Sequence, residues 1–180
     1  MKKNIIVCCS LFVFICAACG PSKQELAEKA RQDSLLQDSI KKAEILAKVK
    51  QEMQAEHLEA VKNSIKITKA YLGSPNSVGG VEAYFYYKNI SDKTIKYVRW
   101  YGKALNAVGD TVLCEVRHES LFGGKDTGPV KPGSMGGGCW DVLYNSTAKT
   151  LVITAVDIEF MDDDNTLYID GDELQYIIKQ

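Results

Sequence analysis

VEAYFYYKN at residues 81–89 and IKYVRWYGKALN at residues 95–106 decide the fold of this chain. Both stretches are rich in β-branched and aromatic residues, which favour a pleated, half-buried strand. Ser91, Asp92 and Lys93 lie between them and supply the polar residues of a turn. The pattern predicts two consecutive strands that pair in an antiparallel manner.

Further strands are predicted downstream, at residues 111–117, 139–145, 151–161 and 166–169. A long glycine-rich loop is predicted to follow the strand at residues 111–117 and to lead through residues 128–133, and residues 174–178 fit either a strand or a short helix. Six or seven short strands in about a hundred residues are typical of an antiparallel, immunoglobulin-like β-sandwich. The chain shows no alternation of strands with helices, which argues against a parallel, nucleotide-binding sheet. We therefore expect a mainly β domain over residues 77–180.

Three turn sequences resemble those of the FxLYD-type sandwich domains. They are KNISDKTIKYV at residues 88–98, LNAVGD at residues 105–110 and GPVKPG at residues 128–133. The similarity covers roughly residues 81–161 and implies the same small sandwich. These are small envelope domains, mostly of unassigned function, so the resemblance implies a fold but no activity.

A long helix is predicted before the sandwich. Residues 23–72 contain neither glycine nor proline and are dominated by strong helix formers. Ser22 and Glu25 have the spacing of a capping box at its start. Lys50 and Gln54 interrupt the apolar stripe of this helix midway.

Three hypotheses compete for this helix: a solvated stalk, a coiled coil that drives oligomerisation, and a helix whose end packs on the following domain. Because the apolar stripe is interrupted, one continuous coiled-coil seam is disfavoured. We favour a stalk that docks near residues 58–72.

The N-terminus has the pattern of a secretory signal. Lys2 and Lys3 precede an apolar run over residues 5–18, which is short for a permanent membrane span. Two alanines then stand directly before Cys19, and this stretch resembles the lipobox of bacterial lipoproteins. The resemblance implies a signal peptide at residues 1–18 and a lipid on Cys19.

The resemblance to a lipobox also implies a location in the cell envelope. Gly20, rather than aspartate, follows the lipidated cysteine, which in lipoprotein sorting favours the outer membrane. Residues 19–73 would then form the lipidated N-terminus and helical stalk. The membrane is thus one expected partner, through the lipid, on either the periplasmic or the surface side.

Two cysteines, Cys114 and Cys139, remain after the signal and the lipid site are set aside. In an oxidising envelope such a pair favours a disulfide. The alternative is a pair of free thiols.

Catalytic chemistry is not indicated by the sequence. GGCW at residues 137–140 is similar to the nucleophile segment of papain-like proteases, but both histidines, His57 and His118, lie upstream of it. Cys114, His118 and Cys139 lack the fourth ligand of a structural zinc site. A net charge of −1 does not indicate the basic surface of a nucleic-acid-binding protein. We predict no enzyme activity, metal or cofactor.

The aromatic residues are the remaining candidates for binding. Alternation along a strand turns some of them outward, and Tyr84, Tyr86 and Trp100 are the predicted ligand-facing set. They could stack on sugar rings or contact a protein, although the favoured interpretation is that they stabilise cross-strand pairs or cover the helix.

The sequence as a whole predicts a non-enzymatic, lipid-anchored envelope protein with an interaction module and an envelope protein partner. The alternative is a carbohydrate-binding module.

Overall fold

The computed structural model describes residues 22–162 and 166–178. Helix α1 spans Lys23–Lys62, and a short 3-10 helix spans Gly171–Tyr176 near the end. Eight strands lie between and around them: β1 Ile65–Leu72, β2 Gly80–Asn89, β3 Ile95–Leu105, β4 Thr111–Val112, β5 Leu121–Val130, β6 Met135–Tyr144, β7 Thr150–Phe160 and β8 Thr166–Asp170.

The strands form two antiparallel sheets. The smaller sheet has the order β1-β2-β6, and the larger has the order β4-β3-β7-β8, with β5 also paired to β3. The predicted mainly β sandwich is therefore confirmed. Five of the predicted strands, at residues 81–89, 95–106, 139–145, 151–161 and 166–169, correspond to β2, β3, β6, β7 and β8, although β6 begins four residues earlier than predicted.

The chain divides into two compact units, one up to Lys50 and one from Gln51 onward. In the first unit, residues 23–50 of α1 are helical and exposed throughout. The predicted capping box is present at its start. The backbone N–H of Glu25 donates to Ser22 Oγ at 3.2 Å, and the N–H of Ser22 donates to Glu25 Oε2 at 2.8 Å.

In the second unit the helix ends ten residues before the predicted end, so the prediction of helix to Leu72 is wrong. Ser64 Oγ donates to the carbonyl of Val61 at 2.7 Å just past the last turn. Residues 65–72 form β1 instead, which pairs with β2 from Ile65 opposite Asn89 to Leu72 opposite Ala83. Residues 65–68 contain two isoleucines and a threonine, whose stiff side chains suit a strand better than a helix. The small sheet therefore begins before residue 77.

Residues 121–130 form a full strand, β5, where the sequence suggested a glycine-rich loop. The glycines of β5 allow its backbone to lie close to β3. A Cβ on Gly123 would come within 2.2 Å of the Trp100 carbonyl oxygen. The predicted strand at residues 111–117 is shorter than expected and pairs with β3 only at Thr111 and Val112.

The core lies between the two sheets, and Trp100 is at its centre. Its ring stacks on Phe85 at 5.6 Å and meets Trp140 and Phe122 edge-on, at 5.6 and 6.2 Å. Val61, at the end of α1, is also fully buried in this core. Burial of such apolar surface contributes about 25 cal/mol per Å² and dominates the stability of the sandwich.

Candidate functional site

The outer side of the small sheet carries the tyrosines that the sequence singled out. Phe85 and Tyr87 point into the core, so the alternating residues Tyr84 and Tyr86 lie on the outer side and are half-buried. Tyr71 of β1 is directly opposite Tyr84. We call Tyr71, Tyr84 and Tyr86 the tyrosine face.

Two rings of this face pack on each other. Tyr71 and Tyr84 are stacked, with ring centroids 4.8 Å apart and planes 4° from parallel. The Tyr84 hydroxyl donates to Glu82 Oε2 at 2.7 Å, and this hydrogen bond, followed by the charge of Glu82, raises the pKa of Tyr84 to about 12. Tyr84 is thus a protonated phenol at neutral pH that is held in a cross-strand pair.

A strip of glycine lies beside Tyr86. Gly136, Gly137 and Gly138 of β6 pair with Tyr87, Tyr86 and Phe85. Gly137 has a φ of 116°, and a Cβ there would approach the Phe85 carbonyl oxygen to 2.1 Å. Only glycine fits this backbone, and it leaves the strand beside Tyr86 without a side chain at that position.

Trp100 does not belong to any ligand-facing surface, and this part of the prediction is wrong. Its side chain is fully buried. On β3 the inward positions are Val98 and Trp100, and Tyr101 is on the outer side. Aromatic enrichment in the sequence did not distinguish the two faces of the strand, whereas packing against Phe85 does.

The predicted disulfide is absent, because Cys114 and Cys139 are both free. Cys114 is buried, and its sulfur accepts the backbone N–H of Tyr144 at 3.4 Å. Cys139 is exposed, opposite Tyr84 and five residues before Tyr144 on β6. Five residues of strand span about 17 Å, whereas a disulfide needs Cα atoms within about 7 Å.

The Cys114 thiol has its own electrostatic environment. Burial raises its pKa, but the backbone N–H groups of Tyr144, Arg117 and Val116 and the charge of Arg117 outweigh that effect. The pKa therefore lies below its usual value. Because the side chain is buried, this environment does not by itself make the thiol an accessible nucleophile.

A cavity of about 360 Å³ lies in the second unit, lined in part by His57, Ser64, Lys93, Phe160 and Leu167. At its border His57 Nε2 is 3.0 Å from Glu173 Oε2, which links the end of α1 to the 3-10 helix. The Ser64 hydroxyl is engaged with the Val61 carbonyl. Both contacts hold the end of α1 in place, the first against the 3-10 helix and the second just past its last turn.

Lipid attachment stays a prediction, because Cys19 and the signal residues lie outside the described residues. Within the described ranges, no helix combines the length and the apolar character needed to cross a membrane. In the same part of the chain, no three histidine, cysteine or acidic side chains are grouped so as to hold a metal ion.

Sequence reasoning missed two exposed tyrosines on the larger sheet, Tyr101 and Tyr168. The signal that could have found them is strand alternation: once Trp100 is inward, Tyr101 is outward, and Tyr168 alternates with the buried Ile169.

Comparison with known protein families, with curated proteins and with solved structures found no match for this chain. The fold and the sites define a small β-sandwich that follows an exposed helix and carries tyrosines on its outer surfaces.

Proposed function

We propose that this chain is a non-enzymatic, lipid-anchored protein of the bacterial cell envelope whose β-sandwich is an interaction module. Two resemblances support the proposal: the lipobox ending at Cys19, and the turn sequences similar to those of FxLYD-type envelope domains. The outer membrane is the proposed location, on its periplasmic or its surface side. The proposed partners are the membrane, through the lipid, and a protein of the envelope.

The tyrosine face is the observation that carries the interaction role. It places Tyr71, Tyr84 and Tyr86 on the outer side of the small sheet, beside a glycine strip that adds no bulky side chain. Tyrosine is enriched at protein interfaces because it offers a rigid apolar ring with a polar end.

The exposed residues 23–50 of α1 suit a tether. At 1.5 Å per residue they extend about 40 Å, and a helix that remains exposed needs the strong helix formers and the cap seen here. A helical spacer holds a module farther from its anchor point than a flexible chain of equal length would on average.

Photo-crosslinking in intact cells tests this role. A photoreactive phenylalanine derivative would replace Tyr86 in one strain and Lys88, near the end of the same strand, in another. A third strain with the replacement at Glu44, in the exposed helix, is the matched control. We expect one abundant protein adduct from position 86 and little from position 44. Absence of any adduct from the sandwich positions would contradict the interaction role.

Carbohydrate binding is the second candidate function. It is favoured by the outward tyrosines, because phenol rings offer faces on which sugar rings can stack. A glycan array probed with the wild-type chain and with Tyr84→Ala and Tyr86→Ala tests the tyrosine face. Loss of binding in these variants would support that face as the sugar site, and silence across the array would count against the function.

A further inference from the structure

A groove lies on the outer side of the larger sheet. Its volume is about 670 Å³, within the range of about 300–1,000 Å³ that is typical of small-ligand sites. Tyr101 and Tyr168 are its exposed aromatic residues, with exposed fractions of 40% and 49%, and the buried Phe122 also lines it. The other lining residues include Leu121, Gly123, Thr154 and Ala155.

Strand register explains why a recess forms between the two rings. Ala155 of β7 pairs with Tyr101 of β3 on one side and with Asp170 of β8 on the other. Gly123 of β5 pairs with Tyr101 on its far side and cannot carry a side chain, since a Cβ would meet the Trp100 carbonyl oxygen at 2.2 Å. Small residues at these two positions leave a depression that is bordered by tyrosine rings.

Hydrogen-bonding groups lie at the border of the depression. The Tyr101 hydroxyl donates to Asp157 Oδ2 at 3.1 Å. Burial, followed by the charge of Asp157, raises the pKa of Tyr101, and burial, followed by the charge of Asp170, raises that of Tyr168. Both phenols are therefore protonated at neutral pH, and the Asp157 carboxylate has further lone pairs with which to accept hydroxyl donors.

The backbone of the groove floor cannot recruit an added strand. At Tyr101, β3 is paired on both sides, with β5 and with β7, so its amide and carbonyl groups are used within the sheet. A ligand above this part of β3 is recognised through side chains. An extended peptide, which binds sheets through backbone hydrogen bonds, is disfavoured here.

The charges near the groove are balanced. Asp157 and Asp170 contribute negative charge, and Arg99 and Lys125, which are opposite each other on β3 and β5, contribute positive charge. The charge of Arg99 lowers the pKa of Tyr101 and so acts against the effect of Asp157. No excess of one sign selects a charged ligand. The chemistry that remains is aromatic rings beside hydroxyl and carboxylate groups.

From these observations we infer that the groove between Tyr101 and Tyr168 binds a neutral sugar residue of a glycan. The apolar C–H face of a pyranose ring packs on the negative faces of the tyrosine rings. Its hydroxyl groups donate to the Asp157 carboxylate and to the phenol oxygen of Tyr101, whose own proton is donated to Asp157. This inference rests on the carbohydrate-binding candidate above, and it moves the site from the tyrosine face to the larger sheet.

The tyrosine face is a weaker sugar site for a geometric reason. Tyr71 and Tyr84 each turn one ring face toward the other at 4.8 Å, so that this face of each ring is already covered. No aromatic ring contact of this kind engages Tyr101 or Tyr168 among the described residues.

The test is a titration of the full-length chain with four neutral oligosaccharides, the tetramers of glucose, xylose, mannose and N-acetylglucosamine. The chain is held in a zwitterionic detergent, because alkyl glycoside detergents would compete for the site. Calorimetry gives Kd, and amide chemical shifts show whether Gly123, Ala155 and Tyr168 respond. We expect at least one tetramer to bind and to shift these amides.

Variants locate the site. We expect Tyr101→Ala and Tyr168→Ala each to weaken binding by about tenfold or more, as removal of an aromatic anchor does, whereas Tyr168→Phe should retain most of it. Tyr144→Ala, at an exposed tyrosine outside both the groove and the tyrosine face, is the matched control and should bind like wild type, and Tyr84→Ala tests the tyrosine face. Tyr168 is on the edge strand β8, so Tyr168→Ala is the variant least disruptive to folding, and cooperative thermal unfolding of each variant confirms its fold.

Two results would overturn the inference, and they differ in scope. Binding that Tyr84→Ala abolishes, while Tyr101→Ala and Tyr168→Ala retain it, would place the sugar site on the tyrosine face and leave the carbohydrate-binding function in place. No binding of any tetramer would reject the groove and the carbohydrate-binding function together. The protein-interaction role is tested separately by crosslinking in cells.

Discussion

Asp126, on β5 of the larger sheet, joins the two sheets of the sandwich through one carboxylate oxygen. Its Oδ2 accepts the Tyr87 hydroxyl of β2 at 2.9 Å and the backbone N–H of Gly137 of β6 at 2.8 Å. Burial first, and then this hydrogen bond, raises the pKa of Tyr87 well above its ordinary value. Hydrogen bonds to a charged acceptor are stronger than those between neutral groups.

Loss of the Tyr87 hydroxyl should therefore destabilise the sandwich. We expect Tyr87→Phe to lower the free energy of unfolding by about 1–3 kcal/mol, since the carboxylate loses one donor in a partly desolvated site. Tyr86→Phe, on the outer side of the same strand, should change it by less than about 0.5 kcal/mol. Urea unfolding measures both, and equal effects of the two variants would contradict this role of Asp126.

The two thiols should differ in accessibility. Cys139 is exposed and Cys114 is buried, so a maleimide should label Cys139 in the native protein within minutes and Cys114 only after unfolding. Cys139→Ser provides the control in which native labelling disappears. Recovery of an unreduced peptide pair that joins Cys114 to Cys139 would contradict the free-thiol arrangement.

At the scale of elements, sequence and structure agree where alternation is long and clear. Strands β2 and β3 bury alternate residues from Val81 and Val98 onward, as does β7 from Val156 to Phe160, and that pattern can be read from the order of the residues. Residues 65–72 were misassigned because they continue a helix-forming run without a glycine or proline to end it. Pairing with β2 decides their conformation, and that contact is invisible in a local pattern.

Strand β5 was missed for the opposite reason. Its glycines normally indicate a loop, but here they permit a close approach to Trp100 and the neighbouring residues of β3. The same limit applies to the candidate sites. Sequence alternation identified Tyr84 and Tyr86 as outward, but it could not show that Tyr71 stacks on Tyr84 or that Tyr101 borders a recess.

Gly137 is the glycine whose replacement should damage β6 most. Gly137→Ala places a Cβ against the Phe85 carbonyl oxygen and also strains a backbone with positive φ. We expect a loss of stability of about 3 kcal/mol or more. Gly109→Ala is the matched control, with φ of 91° and no atom within 4 Å of the added Cβ, and it should cost about 1–2 kcal/mol. Similar urea midpoints for the two variants would argue against the close β2–β6 approach.

At the scale of the whole molecule, the buried core is composed of residues from Val61 onward. Deletion of residues 1–50 should therefore leave a cooperatively folded sandwich with an unfolding free energy within about 1 kcal/mol of the full chain. Deletion of residues 1–62 also removes Val61 and the His57–Glu173 contact. Because Val61 is buried in the core, we expect this deletion to lower the free energy of unfolding by about 2 kcal/mol or more beyond the first deletion. If both deletions gave the same unfolding free energy, the last turns of α1 would not be part of the sandwich.

The proposed function depends first on the anchor, because an interaction module at the end of a helical tether needs a membrane to be tethered to. Intact mass and N-terminal fragmentation of the mature protein, purified from its own envelope, test this most directly. We expect a chain that begins at Cys19 and carries a diacylglyceryl group on its sulfur. A mature chain that begins elsewhere, or an unmodified Cys19, would contradict it.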